Sequence, residues 1–293
     1  CDLANEYVNV HYKTATHSFK KTTLGHICAI FTTCGRKLPF KKLSAQYTDD
    51  EILQRDTGLG AKTITVEEFK KIVTAANALE KAVYLTMFQS MMDQFTLVTK
   101  FNYMWHKFGA QIKAKEFPIF IQLVGGRKSN PFPYYTVLFK DAVDAIHNYV
   151  FNHRPGGEPK EGEPIFLTWK TRNGKHHPIT ENTISMSFRS NCVTAGLIPK
   201  AWGIGKSKFH PHGLRACVKT EIWAKQGFAL GTEFGSIPEF FMGHVVDKLG
   251  YERIVGNPDW VLATIARVIL CLNVVSEQPP EVTRATIYRT ILE

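Results

Sequence analysis

Long apolar runs, paired cysteines and an acidic excess are all missing from this 293-residue sequence, and each absence excludes a class of protein. The six cysteines, Cys1, Cys28, Cys34, Cys192, Cys217 and Cys271, are scattered, and no two form a Cys-x-x-Cys pair. That predicts a reduced compartment and no structural zinc. His210, His212 and Cys217 lie close enough in sequence to be considered as metal ligands. No second Cys/His pair stands at zinc-site spacing, so no metal is expected. The run from Val261 to Val275 is apolar but short and carries Arg267, which predicts a buried helix and no membrane span. No signal-peptide pattern is visible in a sequence that begins at Cys1.

What is present is basic. Thirty-six Lys and Arg stand against 26 Asp and Glu, a formal charge of +10, with a pI near 9.2. Such a balance favours a polyanionic partner, and without a lipid-seeking segment nucleic acid ranks ahead of a membrane surface. The cations are spread along the chain rather than gathered in a tail, as on a folded binding surface. The length is enough for a sizeable core and two domains.

Along the chain, apolar residues at Phe19, Leu24, Ile27, Cys28, Ile30 and Phe31 recur at helical spacing. They predict a helix from about Ala15 to Thr33, closed near Gly35. Residues 1–60 read as a small helical domain, either an ordinary one with solvated lysines or a clamp whose lysines, Lys20 and Lys21 among them, meet DNA phosphates. Gly58 and Gly60 interrupt the pattern as a linker, and Thr65 with Glu68 then forms a capping box that opens a second domain, 61–293. A buried helix pair is expected over Ala82 to Phe101. Pro118 to Leu123 and Tyr134 to Phe139 predict a β-hairpin with Arg127 and Lys128 at its tip. An amphipathic helix follows over Asp141 to Phe151, ended at Arg154-Pro155-Gly156-Gly157. Ile165 to Trp169 is strand-like, Arg172 to His177 reads as a turn, and a helix over Thr180 to Ala195 ends at Gly196.

The chemistry concentrates between Phe209 and Tyr251. Arg215 offers a planar fork of donors that matches two phosphate oxygens and keeps its charge near neutral pH. His212 is three residues earlier, on the same face if a helix has begun, and can donate a hydrogen bond or move a proton. A tyrosine such as Tyr251 can form a covalent ester once nearby cations favour its phenolate. Each residue alone has an ordinary explanation: a helix charge, a capping imidazole, a packed aromatic.

Their order is more specific. The segment Lys208-Phe209-His210-Pro211-His212-Gly213-Leu214-Arg215, then Gly243-His244, then Tyr251, resembles the C-terminal signature of the tyrosine recombinase (phage integrase) family. The resemblance implies a mainly α-helical, two-domain DNA clamp with a small antiparallel β-hairpin or sheet. It implies strand cleavage and rejoining through a 3′-phosphotyrosyl intermediate, as in site-specific recombination and integration. Tyr251 would be the nucleophile, Arg215, His212 and His244 would steady the phosphate, and Lys128 would protonate the leaving oxygen. The ester conserves bond energy, so no cofactor is implied. Double-stranded DNA is the implied partner, with a homodimer or homotetramer on it, because family members commonly dock a C-terminal helix on a neighbouring protomer. An intracellular location with DNA, in cytoplasm, nucleoid or nucleus, follows.

One departure stands out. The family carries its first catalytic arginine in the region of Gln89 to Gln94, whereas no arginine occurs here between Arg55 and Arg127. Asp93 in that stretch is expected to repel a phosphate, and Lys100, two helical turns on, to supply a substitute charge. On this reading Asp93→Arg strengthens cleavage. Lys100, Arg127, Lys206 and Lys208 are the DNA contacts expected beside Lys20 and Lys21. Two other readings stand beside the recombinase: a degenerate relative that binds DNA without cutting, and an unrelated helical DNA-binding protein.

Overall fold

A computed structural model describes residues 2–36, 45–46, 63–123, 134–172, 174–200, 209–226, 242 and 272–276. Tyr251, His244, Lys128, Arg127, Lys206 and Lys208 lie outside the described residues. The described chain is mostly helical, with two small antiparallel sheets. It divides into two compact units, Cys1–Lys62 and Thr63–Glu293.

In the first unit α1 (Asp2–His11) and α2 (His17–Thr33) form a helical hairpin. Thr16 caps α2, its hydroxyl accepting from the Phe19 N–H at 3.3 Å. At the other end Gly35 takes φ +76°, its N–H reaching the Thr32 carbonyl and that of Arg36 the Phe31 carbonyl. This is the Schellman arrangement, and a residue with a Cβ would resist that φ. The helix end expected at Gly35 is therefore found there. Lys20 departs from expectation. It is 2% exposed, and its ammonium donates to the carbonyls of Lys13 at 3.3 Å and Gln46 at 3.1 Å. Both acceptors belong to its own unit, so Lys20 ties the hairpin to its neighbouring segments, while Lys21 faces solvent.

The second unit opens at α3 (Val66–Ala75), with the Thr65–Glu68 capping box formed in both directions. A second box, Asn77 with Glu80, starts α4 (Ala78–Ser90). From Ala82 to Ser90 every residue of α4 is buried. A stretch buried on all sides lies in the centre of a core, and α4 packs against α3, β2, α7, α8 and α9. Phe69 stacks on Phe88 with centroids 4.6 Å apart, and Phe101 on Phe108 at 5.0 Å. Met91, at φ +52°, ends α4, and Asp93 caps the short α5 (Gln94–Thr99), so the expected helix pair is present.

After α6 (Trp105–Ala114), β1 (Ile119–Leu123) pairs with β2 (Tyr134–Leu138), Ile119 opposite Leu138 and Leu123 opposite Tyr134. This is the hairpin expected from the sequence. Alternation in β1 buries Ile119, Ile121 and Leu123 against the core. Next, α7 (Lys140–Asn148) widens into a π-helical turn, Tyr149–His153, and Arg154 follows. The Arg154 guanidinium is buried, donating to the carbonyls of Ile165 at 3.0 Å and Pro164 at 2.9 Å. It fastens the following loop, which polar composition alone would leave open.

The expected turn at Arg172 to His177 is instead most of a second hairpin. Here β3 (Leu167–Arg172) pairs with β4 (Lys175–Pro178), Arg172 opposite Lys175. Between the strands Gly174, at φ +72°, makes the reversal possible. Finally α8 (Glu181–Thr194), capped by Thr180 and followed by Gly196 at φ +69°, precedes α9 (Gly213–Gln226). Of the helix expected over Val261 to Val275, 261–271 lie outside the described residues, Leu272 is helical and 273–276 are not. The amide groups there are taken by Asp141 rather than by a helical ladder.

Candidate active site

The site is built on the start of α9. Leu214, Cys217, Val218 and Ile222 are buried at helical spacing and turn one face of α9 into the core. Ahead of the helix, residues 210–212 form a turn closed by Gly213 N–H to His210 O at 2.8 Å and Arg215 N–H to His212 O at 3.2 Å. The His210 Nδ1 also accepts the Gly213 N–H, at 3.1 Å. An acceptor nitrogen must be unprotonated, so this bond fits the lowering of His210 below the usual imidazole pKa, whose cause is desolvation. The His212 ring lies nearly parallel to that of His210, centroids 6.2 Å apart, and His212 is exposed.

Arg215 is 3% exposed. Its Nη2 donates to the Met242 carbonyl at 2.9 Å, and its Nη1 lies 3.6 Å from Asp93 Oδ2. The other oxygen of Asp93 accepts the Thr96 N–H at 2.7 Å and caps α5. A buried guanidinium needs a counter-charge and hydrogen bonds together. Here a carboxylate lies beside one arm and a backbone carbonyl accepts from the other.

This arrangement corrects the reading of Asp93 as a residue that merely repels phosphate. It holds Arg215 and starts α5, so Asp93→Arg would set two guanidinium groups against each other and remove a helix cap. Lys100 lies two helical turns beyond Asp93, the separation expected. Asp93 is the N-cap and Lys100 the C-cap of α5, separated by about 10 Å at 1.5 Å per residue. The structure brings Asp93, Arg215 and Met242 together, with His212 in the turn preceding Arg215. The cap was legible in Asp93-Gln94-Phe95-Thr96, an acidic residue after a helix break. Pairing with Arg215, far along the chain, carried no local signal.

No group of three or more His, Cys, Asp or Glu side chains suited to a metal ion occurs among the described residues. No helix there is long and apolar enough to cross a membrane.

Among known proteins, no family model and no curated sequence matches the chain. Two solved structures are similar to it. One is the Tn1549 transposon integrase, residues 82–397, in complex with circular intermediate DNA, at 13% identity and a TM-score of 0.43. That match covers 97% of this chain and 83% of the integrase chain. The other is an arginine-to-lysine variant of the same integrase on a related DNA, at 14% identity and a TM-score of 0.40, covering 98% and 84%.

Proposed function

We propose that this protein is a tyrosine-type DNA strand transferase, a site-specific recombinase or integrase. The observation that carries the reading is the setting of Arg215, a buried, doubly held guanidinium in the first turn of a helix that an exposed histidine precedes. Together with the Gly243-His244 and Tyr251 that follow in sequence, this residue set can serve a phosphodiester.

In the reaction the Tyr251 phenolate attacks phosphorus, forms a 3′-phosphotyrosyl ester and releases the 5′ oxygen. That oxygen takes a proton from Lys128, since lysine can give one up where arginine cannot. Attack by the 5′ hydroxyl of another strand reverses the step, restores the phosphodiester and frees the phenol. Arg215, His212 and His244 donate to the phosphoryl oxygens as charge builds on them. Neither a nucleotide nor a metal enters the balance.

Residues 1–60 act as a DNA clamp, with Lys21 facing the phosphates, and residues 61–293 as the cutting unit. Lys100, Arg127, Lys206 and Lys208 add contacts to double-stranded DNA. The protein works inside the cell as a dimer or tetramer on DNA.

The second reading, binding without cleavage, draws on the same carboxylate. Asp93 offsets the charge of Arg215, so the pocket depends on other cations to attract phosphate. A nicked suicide duplex that traps the covalent ester separates the two. Cleavage predicts an adduct that Tyr251→Phe abolishes. DNA binding with steep salt dependence and no adduct supports the second reading.

A further inference from the structure

Between α4, α8 and the β3–β4 hairpin the second unit holds a cavity of about 610 Å³, which the strand-transfer reading leaves unused. Its walls are mostly apolar: Leu79 and Val83 from α4, Pro178 of β4 with the adjacent Ile179, and Ile184 and Met186 from α8. A volume of that size with such a lining suits a small organic molecule, held by a few placed polar groups in an otherwise apolar pocket. Met186 is 66% exposed and marks the solvent side.

One polar wall interrupts the apolar lining. The Asn191 amide donates to Glu80 Oε2 at 2.9 Å and to the Tyr84 hydroxyl at 3.1 Å. The hydroxyls of Tyr84 and Ser187 lie 2.9 Å apart, and Ser187 donates onward to the Ile184 carbonyl at 3.2 Å. Burial pushes the Tyr84 phenol above its usual range, so it stays a neutral member of this chain. Glu80 Oε2 also accepts the Asn77 N–H at 3.0 Å, so the capping box of α4 fixes the carboxylate. Its other oxygen, Oε1, accepts no hydrogen bond, and Glu80 forms no ion pair, among the described residues. Glu80 is half-buried, and a carboxylate partly withdrawn from water that meets only neutral donors favours a cationic partner. No second carboxylate stands among the described residues that line the cavity.

We propose that this cavity binds a small organic monocation, an amine on an aromatic or branched apolar body. The ammonium pairs with Glu80, and the body lies against the apolar side chains of α4 and α8. One carboxylate matches one positive charge. A polyamine would bring further ammonium groups onto apolar surface without partners, and an anionic ligand would meet repulsion at Glu80. The site is independent of the strand-transfer reading, in which no residue of this cavity takes part.

The test uses the full chain labelled at its methionine methyl groups, with Met186 identified as the resonance absent from Met186→Leu. Tryptamine is the probe. Indolepropionate, with the same ring and the opposite charge, and ethylamine, with the charge and no ring, are its controls. Tryptamine should shift the Met186 resonance saturably, and each control should bind at least about tenfold more weakly, the scale of one charged hydrogen bond or one buried ring. Glu80→Gln keeps the capping box, which accepts either residue, and should weaken tryptamine by about tenfold or more. Thr183→Trp places an indole in the cavity from α8 and should abolish the shift. It carries the test should Glu80→Gln fail to fold. The proposal is overturned if tryptamine gives no saturable shift in the parent, if either control binds as tightly, or if a folded Glu80→Gln or Thr183→Trp binds tryptamine as the parent does. Adduct formation on DNA is no part of the readout, so such a failure leaves the strand-transfer proposal intact.

Discussion

Asp93 and Arg215 form an ion pair in which the carboxylate does two things at once. Oδ2 lies 3.6 Å from the guanidinium, and Oδ1 caps α5 through Thr96 at 2.7 Å. The Arg215 side chain is 3% exposed and that of Asp93 21%, so the pair is screened little on one side and moderately on the other. Asp93→Asn keeps a good cap and loses the charge, whereas Asp93→Ala loses both. We expect Asp93→Ala to be about 1 kcal/mol less stable than Asp93→Asn, the typical value of a cap. Both should be destabilised relative to the parent because a buried cation is left without its counter-charge. Urea melts of the three proteins check this. Equal stability of Asp93→Asn and the parent would show that the pair carries no net weight.

Lys20 and Lys21 are neighbours with opposite fates. The buried ammonium of Lys20 should leave DNA binding insensitive to its loss, so Lys20→Met changes stability and not the salt slope. Lys21→Ala should flatten the plot of log affinity against log salt by about one unit, as expected for one phosphate contact. Titrations at four salt concentrations measure both. A flattening by Lys20→Met equal to that by Lys21→Ala would contradict the inward placement.

The His210 cap predicts a pH dependence. Its folded pKa is lowered by desolvation, so the native state holds fewer protons than the unfolded chain between the two values. Stability is therefore fully present above the ordinary imidazole pKa, about 6.5, and falls as pH drops through the lower folded value. His210→Asn, which keeps an acceptor but does not titrate there, should flatten this part of the profile. Urea midpoints between pH 7.5 and 5 supply the comparison.

Cysteine reactivity should divide by environment. Burial pushes the Cys192 thiol up to about 12, and Cys217 is also buried, while Cys34 is exposed. Thiolates, not thiols, react with alkylating agents. Brief iodoacetamide treatment of the native protein, read by peptide mass, should label Cys34 and spare Cys192 and Cys217 until denaturant is added. Rapid native labelling of Cys192 would mean that its part of α8 opens readily.

Much of the scaffold could be read from sequence because its signals are local. The Thr65–Glu68 box, the glycines after α2 and α8, and the alternation in β1 each act within a few residues. The turn expected at 172–177 became a hairpin because strand pairing needs its partner, and a stretch of Lys and His is a poor strand by propensity. Lys20 was misplaced for a related reason: its partners, the carbonyls of Lys13 and Gln46, are backbone groups that composition cannot show. For the site, the residue types near Arg215 were legible, but its supports were not. Asp93 and Met242 reach Arg215 through contacts distant in sequence, and only the fold brings them together.

Trapping of the covalent intermediate tests most directly whether Tyr251 cuts DNA. With a nicked suicide duplex the parent protein should yield a protein–DNA adduct resistant to denaturant, and Tyr251→Phe, binding the same duplex with the same affinity, should yield none. An adduct that persists in Tyr251→Phe, or a parent protein that binds the duplex tightly and never becomes attached to it, would contradict the account.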